Sequence, residues 1–196
     1  MLSRPSLVID LEFIKPCLPC VTMFPPSDDA WLHEIKHPRQ RLIARRNGQG
    51  IRLFTEWGED STSRFPFVVE SMTLLPVKSC IIDGDLVRCD EHGNPRVGSL
   101  PDGRSETGAS LYAFDLLEVN GFDLRPDSIE DRKRALTRLL RKPPGAIRLS
   151  EPFARCGEPM LRQVGRMGFD GIISKRRGSR YISGRSPDWL FSRKID

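Results

Sequence analysis

Apolar and polar residues alternate over much of the chain, the period of two that puts successive side chains on opposite faces of a strand. Trp31–Lys36 (WLHEIK), Leu42–Arg46 (LIARR) and Ile51–Trp57 (IRLFTEW) carry it. Asn47-Gly48 separates the second from the third, with Gln49-Gly50 after it, and predicts a hairpin. Phe65–Leu75 predicts a helix packed on that sheet, and Ser79–Cys89 and Leu111–Val119 predict two more strands. Ser128–Lys142 predicts the clearest helix: Ser128 as cap with Asp131 three residues on, an apolar stripe of Ile129, Leu136, Leu139 and Leu140, and cations before Pro143-Pro144. Ile147–Phe153 reads as a strand, Glu158–Met167 as a helix, and Gly171–Arg177 and Asp188–Lys194 as closing strands. Hairpins first, then helices between later strands, predict an α+β fold with two largely antiparallel sheets and flanking helices. Pro5, Pro16, Pro19, Pro25 and Pro26 break any long helix in residues 1–27, which read as an N-terminal arm before one domain over 28–196.

Composition narrows the class. The 196 residues suit one domain, and 38% hydrophobic with 29% charged residues suits a packed core. The net charge of +5 favours anionic partners without naming one. Of the 31 cations 24 are Arg, which suits forked contacts to phosphate, although a compositional bias explains it equally well. From Lys175 onward seven cations face only Asp188 and Asp196. That stretch reads as a phosphate-facing edge or nucleic-acid contact, a solvated basic tail being the alternative. The longest uncharged stretch, Pro16 to Ser27, holds four prolines in twelve residues and cannot span a bilayer. The N-terminus lacks a secretory pattern. Five scattered cysteines favour reduced thiols in a cytosol, and the lone Cys17-x-x-Cys20 lacks the second pair of a structural zinc site.

Four segments attract chemical interest. Glu34-Ile35-Lys36 ends a strand with its two charges on one face; a lysine drawn into a pocket becomes a nucleophile, whereas an exposed one merely pairs with Glu34. Ile82-Asp83-Gly84-Asp85 sets two carboxylates in an apolar run, which predicts a bulge aiming them at a ligand or metal, or else a turn. In Tyr112-Ala113-Phe114-Asp115 the aromatics share a face and suit base stacking or core. Asp170 opens a strand that carries Lys175 five residues on, a spacing that suits a metal ligand and a phosphate-binding cation in one cleft.

Together and in this order, WLHEIK, SCIIDGDLV, LYAFDLLEVNG, GIISKRR and YISGRSPDWL resemble the adenylation (nucleotidyltransferase) domain of bacterial ATP-dependent DNA ligases, those of double-strand-break repair most of all. The resemblance runs from about Phe13 to Asp196. It implies the ATP-grasp-like fold of DNA ligases and capping enzymes, a cytoplasmic, nucleoid-associated enzyme of DNA repair, ATP and Mg²⁺ as cofactors, and nicked or broken double-stranded DNA as partner. It implies that Lys36 is the nucleophile that forms lysyl-AMP. Glu34 matches the residue that reads the adenine amino group, Arg41 a ribose or phosphate contact, and Phe114 the adenine-stacking aromatic. Asp85 matches a ribose- or metal-directed carboxylate and Asp170 a metal-directed one. Lys175 matches the α-phosphate lysine and Arg193 the last phosphate-binding cation. Arg176, Arg177, Arg180 and Arg185 follow as nucleic-acid contacts.

The departures define a second reading. Pro38 and Arg39 stand where the family has Asp-Gly, and Glu56-Trp57-Gly58 where it has Arg-Asn-Gly, a charge reversal. Asp85 and Asp170 replace glutamates, and Phe191 and Arg193 replace lysines. Family members continue beyond the position of Asp196 into an OB-fold domain, so a separate OB-fold or repair protein is an implied partner. The alternative is a degenerate ligase-like module that binds nucleotide or DNA without ligating.

Overall fold

The computed structural model describes residues 13–37, 40–88, 108–153 and 157–195. Pro38, Arg39, Cys89 and residues 1–12 of the expected arm lie outside the described residues. The first sheet holds four strands in the order β1 (Cys17–Thr22), β10 (Gly184–Arg193), β9 (Gly171–Arg176) and β2 (Trp31–Lys36). The second runs β4 (Gly50–Thr55), β3 (Arg41–Asn47), β5 (Cys80–Arg88), β6 (Ala109–Val119) and β7 (Phe122–Asp123), with β8 (Ile147–Leu149) paired to β6. Among the described residues only β1–β10 and β6–β8 pair in parallel, as the α+β reading expects. Helices α1 (Pro66–Thr73), α2 (Ile129–Leu139) and α3 (Glu158–Arg166) lie close to their expected positions. Helix α2 ends three residues early, with the proline pair beginning at residue 143 disfavouring helical backbone before it.

Alternation sorts the side chains into layers. On β3, Leu42 and Ala44 join the core under α1 and α2, while Ile43 joins a second core between the sheets. On β9, Ile173 faces that inter-sheet core and Ile172 packs with Leu161, Val164 and Phe169 beneath α3. Strands buried on both faces read as nearly continuous apolar runs.

Two expectations need correction. The N-terminal segment is not wholly an arm: residues 17–22 form β1, and Cys17 is fully buried. Its prolines exclude a helix yet suit an edge strand, where Pro19 sits beside a register shift. The bulge expected in IDGD lies mainly on its partner. Asp83 opposes Asp115 and Gly84 opposes Ala113, so Phe114 is the extra residue on β6. Gly84 suits the close approach, because a Cβ there would lie 2.8 Å from the Tyr112 carbonyl oxygen and 2.7 Å from Leu111 Cδ1.

One polar ring ties the sheets together. The Arg41 guanidinium donates to both Asp83 oxygens, Nε at 2.9 Å and Nη2 at 2.6 Å, and through Nη1 to the Cys17 carbonyl at 2.7 Å. Tyr181 donates to Asp83 at 2.7 Å and accepts from the Cys17 backbone N–H at 3.0 Å. Removing one partner of a buried ion pair strands the other. Asp83→Ala is therefore expected to destabilise by about 3–5 kcal/mol. Tyr181→Phe, which loses hydroxyl hydrogen bonds, should cost about 1–2 kcal/mol. Urea unfolding of both variants checks this; equal and small effects would refute the ring as the inter-sheet tie.

Candidate active site

A cavity of about 200 Å³ opens where the two sheets meet. From β2 it takes Glu34 and Lys36, from β3 Arg41, from β5 Asp85, from β6 Phe114, from β9 Lys175, and from β10 Trp189. Alternation puts Glu34 and Lys36 on the same face of β2. The bulge lets Phe114 join the inter-sheet cluster, with its ring 6.1 Å from that of Trp189.

The charges are arranged in pairs. Lys36 Nζ donates to Asp85 Oδ1 at 2.9 Å and Oδ2 at 2.8 Å, and lies 3.2 Å from the His37 carbonyl oxygen. Its side chain is 27% exposed against 4% for Asp85, so the ammonium is reachable from the cavity. Lys175 Nζ lies 3.1 Å from Glu34 Oε2, and 4.3 and 4.2 Å from the ring centroids of Phe114 and Trp189. The other Glu34 oxygen contacts Lys133 of α2, which also donates to the Ser150 carbonyl at 3.2 Å. Burial pushes Lys133 down to about 8, with Glu34 pulling it up and Lys175 down.

The expected site residues divide into three groups. Lys36, Glu34, Arg41, Asp85, Phe114 and Lys175 converge on the cavity. Arg41, however, is committed to Asp83 and Cys17, and its guanidinium carbon lies 5.2 Å from the Phe114 ring centre. Asp170 is outside the cavity wall but adjacent to the strand of Lys36, its backbone N–H donating to the Lys36 carbonyl at 3.1 Å. Arg193 is exposed at the end of β10 and does not line the cavity. Arg176, Arg177, Arg180 and Arg185 are exposed and away from the cavity wall. Among them Arg177 bonds the Asp29 carbonyl at 2.8 Å and Arg185 the Pro19 carbonyl at 3.1 Å.

Two contributors, Lys133 and Trp189, escaped the sequence reading of the site. Lys133 sits four residues after Ile129 and three before Leu136, so a cation on the apolar face of α2 was the available signal. Trp189 had none beyond its place in YISGRSPDWL. Asp83 reads as a ligand-directed carboxylate but serves the inter-sheet ring. Glu56 also lines the cavity, half-buried and without an ion-pair partner among the described residues. The Cys17 thiol is pushed up to about 11 and Cys80 to about 12, chiefly by burial, so neither is a ready thiolate.

With strands, bulge and cleft arranged in this way, the fold is that of DNA ligase nucleotidyltransferase domains. The ligase domain of LigD from M. tuberculosis superposes with a TM-score of 0.78 at 24% identity, covering 94% of this chain and 61% of that one. A mycobacterial DNA ligase D complexed with ATP and MES superposes at 0.76, also at 24% identity, over 96% and 62%. The chain belongs to the ATP dependent DNA ligase domain family, which it matches over residues 21–191. It is 35% identical over 185 residues to the multifunctional non-homologous end joining protein LigD of Pseudomonas aeruginosa PAO1, across 91% of this chain and 22% of that protein. It is 31% identical over 149 residues to a probable DNA ligase of Nocardioides sp., across 74% of this chain and 29% of that protein. The chain thus spans less than a third of either relative's length. Among the described residues no helix is long and apolar enough to cross a membrane.

His37, next to the candidate nucleophile, packs between Tyr112 and Phe169 at ring distances of 4.7 and 5.3 Å. Burial holds its pKa below the ordinary 6.5, against an upward pull from Asp85. His33 is lowered in the same way. The unfolded chain therefore takes up protons first. Stability is fully present above pH 6.5 and falls as pH drops toward the folded values, by up to about 1.4 kcal/mol per pH unit for each group. Urea midpoints between pH 7.5 and 5 should show the fall, and His37→Phe should flatten part of it; an unaltered slope would refute this account of His37.

Proposed function

We propose that this domain is an adenylyltransferase that captures AMP on Lys36 for the sealing of nicked or broken double-stranded DNA in repair. The observation that carries the reading is Lys36 Nζ, reachable in the cavity and held by both oxygens of Asp85. Family membership and the convergence of Glu34, Phe114 and Lys175 on the same cavity support it. In the reaction Lys36 first loses a proton, and Asp85 is the carboxylate placed to receive it. The Nζ lone pair then attacks the α-phosphorus of ATP. A P–N bond forms, the bond to the bridging oxygen breaks, and pyrophosphate leaves with the electron pair. Phe114 stacks the adenine, Glu34 reads its amino group, and Lys175 contacts the α-phosphate.

Mg²⁺ belongs to this reading. Among the described residues no three His, Cys, Asp or Glu side chains gather into a metal site. Asp85 on the cavity wall would hold such an ion, with Asp170 offered from beside the end of the Lys36 strand and phosphate oxygens and water completing the shell. When bound, the ion neutralises charge on the phosphates. The same reading places the work in the bacterial cytoplasm on nucleoid DNA, with an OB-fold domain or a repair protein completing the DNA clamp. Arg176, Arg180 and Arg185 would contact the DNA backbone.

A specific observation favours the second reading, a module that binds without ligating. Glu56 brings to the cavity a carboxylate with no ion-pair partner among the described residues, and the Arg41 guanidinium on the cavity wall is engaged by Asp83. Intact-mass spectrometry after incubation with ATP and Mg²⁺ separates the two. The adenylyltransferase gains the mass of one AMP, and Lys36→Ala does not. A folded protein without an adduct in excess ATP leaves the binding module. For DNA, Arg176→Ala and Arg180→Ala should each weaken binding and lower the salt dependence by about 0.9 in log–log slope. Binding that ignores salt would refute phosphate contact by these side chains.

A further inference from the structure

The Glu34 carboxylate faces two buried ammonium groups. Lys133 contacts Oε1 from α2, and Lys175 lies 3.1 Å from Oε2 on β9. Residue exposures are 3% for Glu34, 6% for Lys133 and 1% for Lys175. One anion between two cations leaves a surplus positive charge, and burying a second ammonium is costly for a merely structural pair. Among the described residues the neighbouring carboxylates have ion-pair partners of their own. Asp115 is paired with Arg132, Asp83 with Arg41, and Asp85 with Lys36. Of the two lysines only Lys175 lines the cavity.

We propose that Lys133 is a positioning residue, the counter-ion that stays with Glu34 when Lys175 turns from that carboxylate to the phosphate of a bound nucleotide. The proposal rests on the adenylyltransferase reading of Lys175 and adds the device that frees it. If Glu34 and Lys175 formed a pair alone, drawing Lys175 toward a phosphate would strand a buried carboxylate. With Lys133 in contact, Glu34 keeps an ion pair throughout. Lys175 gives up a 3.1 Å contact to Glu34, a 3.4 Å contact to the Phe114 carbonyl and two ring faces, each exchangeable for a phosphate oxygen. Lys133 is anchored meanwhile by the Ser150 carbonyl. The device is specific to phosphate-bearing ligands, since adenosine offers Lys175 no anion.

The test compares ATP and adenosine binding by calorimetry in the wild type, Lys133→Met, Lys133→Arg and the pair Lys133→Met/Glu34→Gln. Lys133→Met should weaken ATP relative to adenosine by about tenfold or more, the loss of a charged contact. Lys133→Arg should retain both affinities. Adding Glu34→Gln to Lys133→Met should restore the ATP-to-adenosine ratio, because no carboxylate then holds Lys175. Equal weakening of both ligands without rescue, or no change in either, would overturn the proposal. If Lys133→Met alone does not fold, the double variant is compared with Glu34→Gln alone. The two should give the same ratio, and a difference overturns the proposal. A wild type that binds no ATP refutes both the function and this device. One that binds ATP but forms no adduct refutes only the Lys36 chemistry and leaves the comparison decisive.

Discussion

Asp83 has no exposed surface and sits where both sheets must agree. Its two oxygens take the Arg41 guanidinium from β3 and the Tyr181 hydroxyl from the β9–β10 connection, and that ring closes through the backbone of Cys17 on β1. A buried carboxylate tolerates few geometries, because each unfilled lone pair costs free energy in a low-dielectric interior. The ring therefore fixes the spacing between the sheets, and the cavity is what that spacing leaves open at the strand ends. Burial holds the Tyr181 hydroxyl well above its ordinary pKa, so it remains a donor at any physiological pH.

Two further buried charge clusters work from this frame. Arg132 and Asp115 fasten α2 to β6, and the next residue on the helix, Lys133, reaches Glu34. One helix turn thus connects the scaffold to the cavity floor. Polar clusters of this kind are not cheap sources of stability. Their value here is placement: the Lys36–Asp85 and Lys175–Glu34 pairs hold two cations of the cleft at fixed positions.

The elements were readable because their local chemistry and their environment agree. Ser128 caps α2 by accepting the Asp131 N–H at 3.2 Å, as its spacing implies. The hairpin closes between Asn47 and Gly50. The face shared by Glu34 and Lys36 follows from the strand period alone. Reading failed where a residue's partner is distant in the chain. The prolines of residues 16–19 argued for an arm, but β10, more than 160 residues away, supplies the ladder for β1. Arg193 matched a motif position, yet the direction of β10 carries it out to solvent.

The sequence by itself determined the strand and helix order and the α+β class, since these follow from period and turn chemistry, while the resemblance of its ordered motifs to the ligase family pointed to the candidate nucleophile and to half of the side chains that line the cavity. Tertiary structure decided which charges meet. Asp83 and Asp85 are alike in the sequence, two residues apart on the same face of one strand. One faces Arg41 and Tyr181 and holds the sheets together; the other faces Lys36 and the cavity. Lys133 became part of the site only when α2 packed against β6. Ion pairing depends on distance and burial in three dimensions, and neither is encoded by the spacing of residues along one strand or helix.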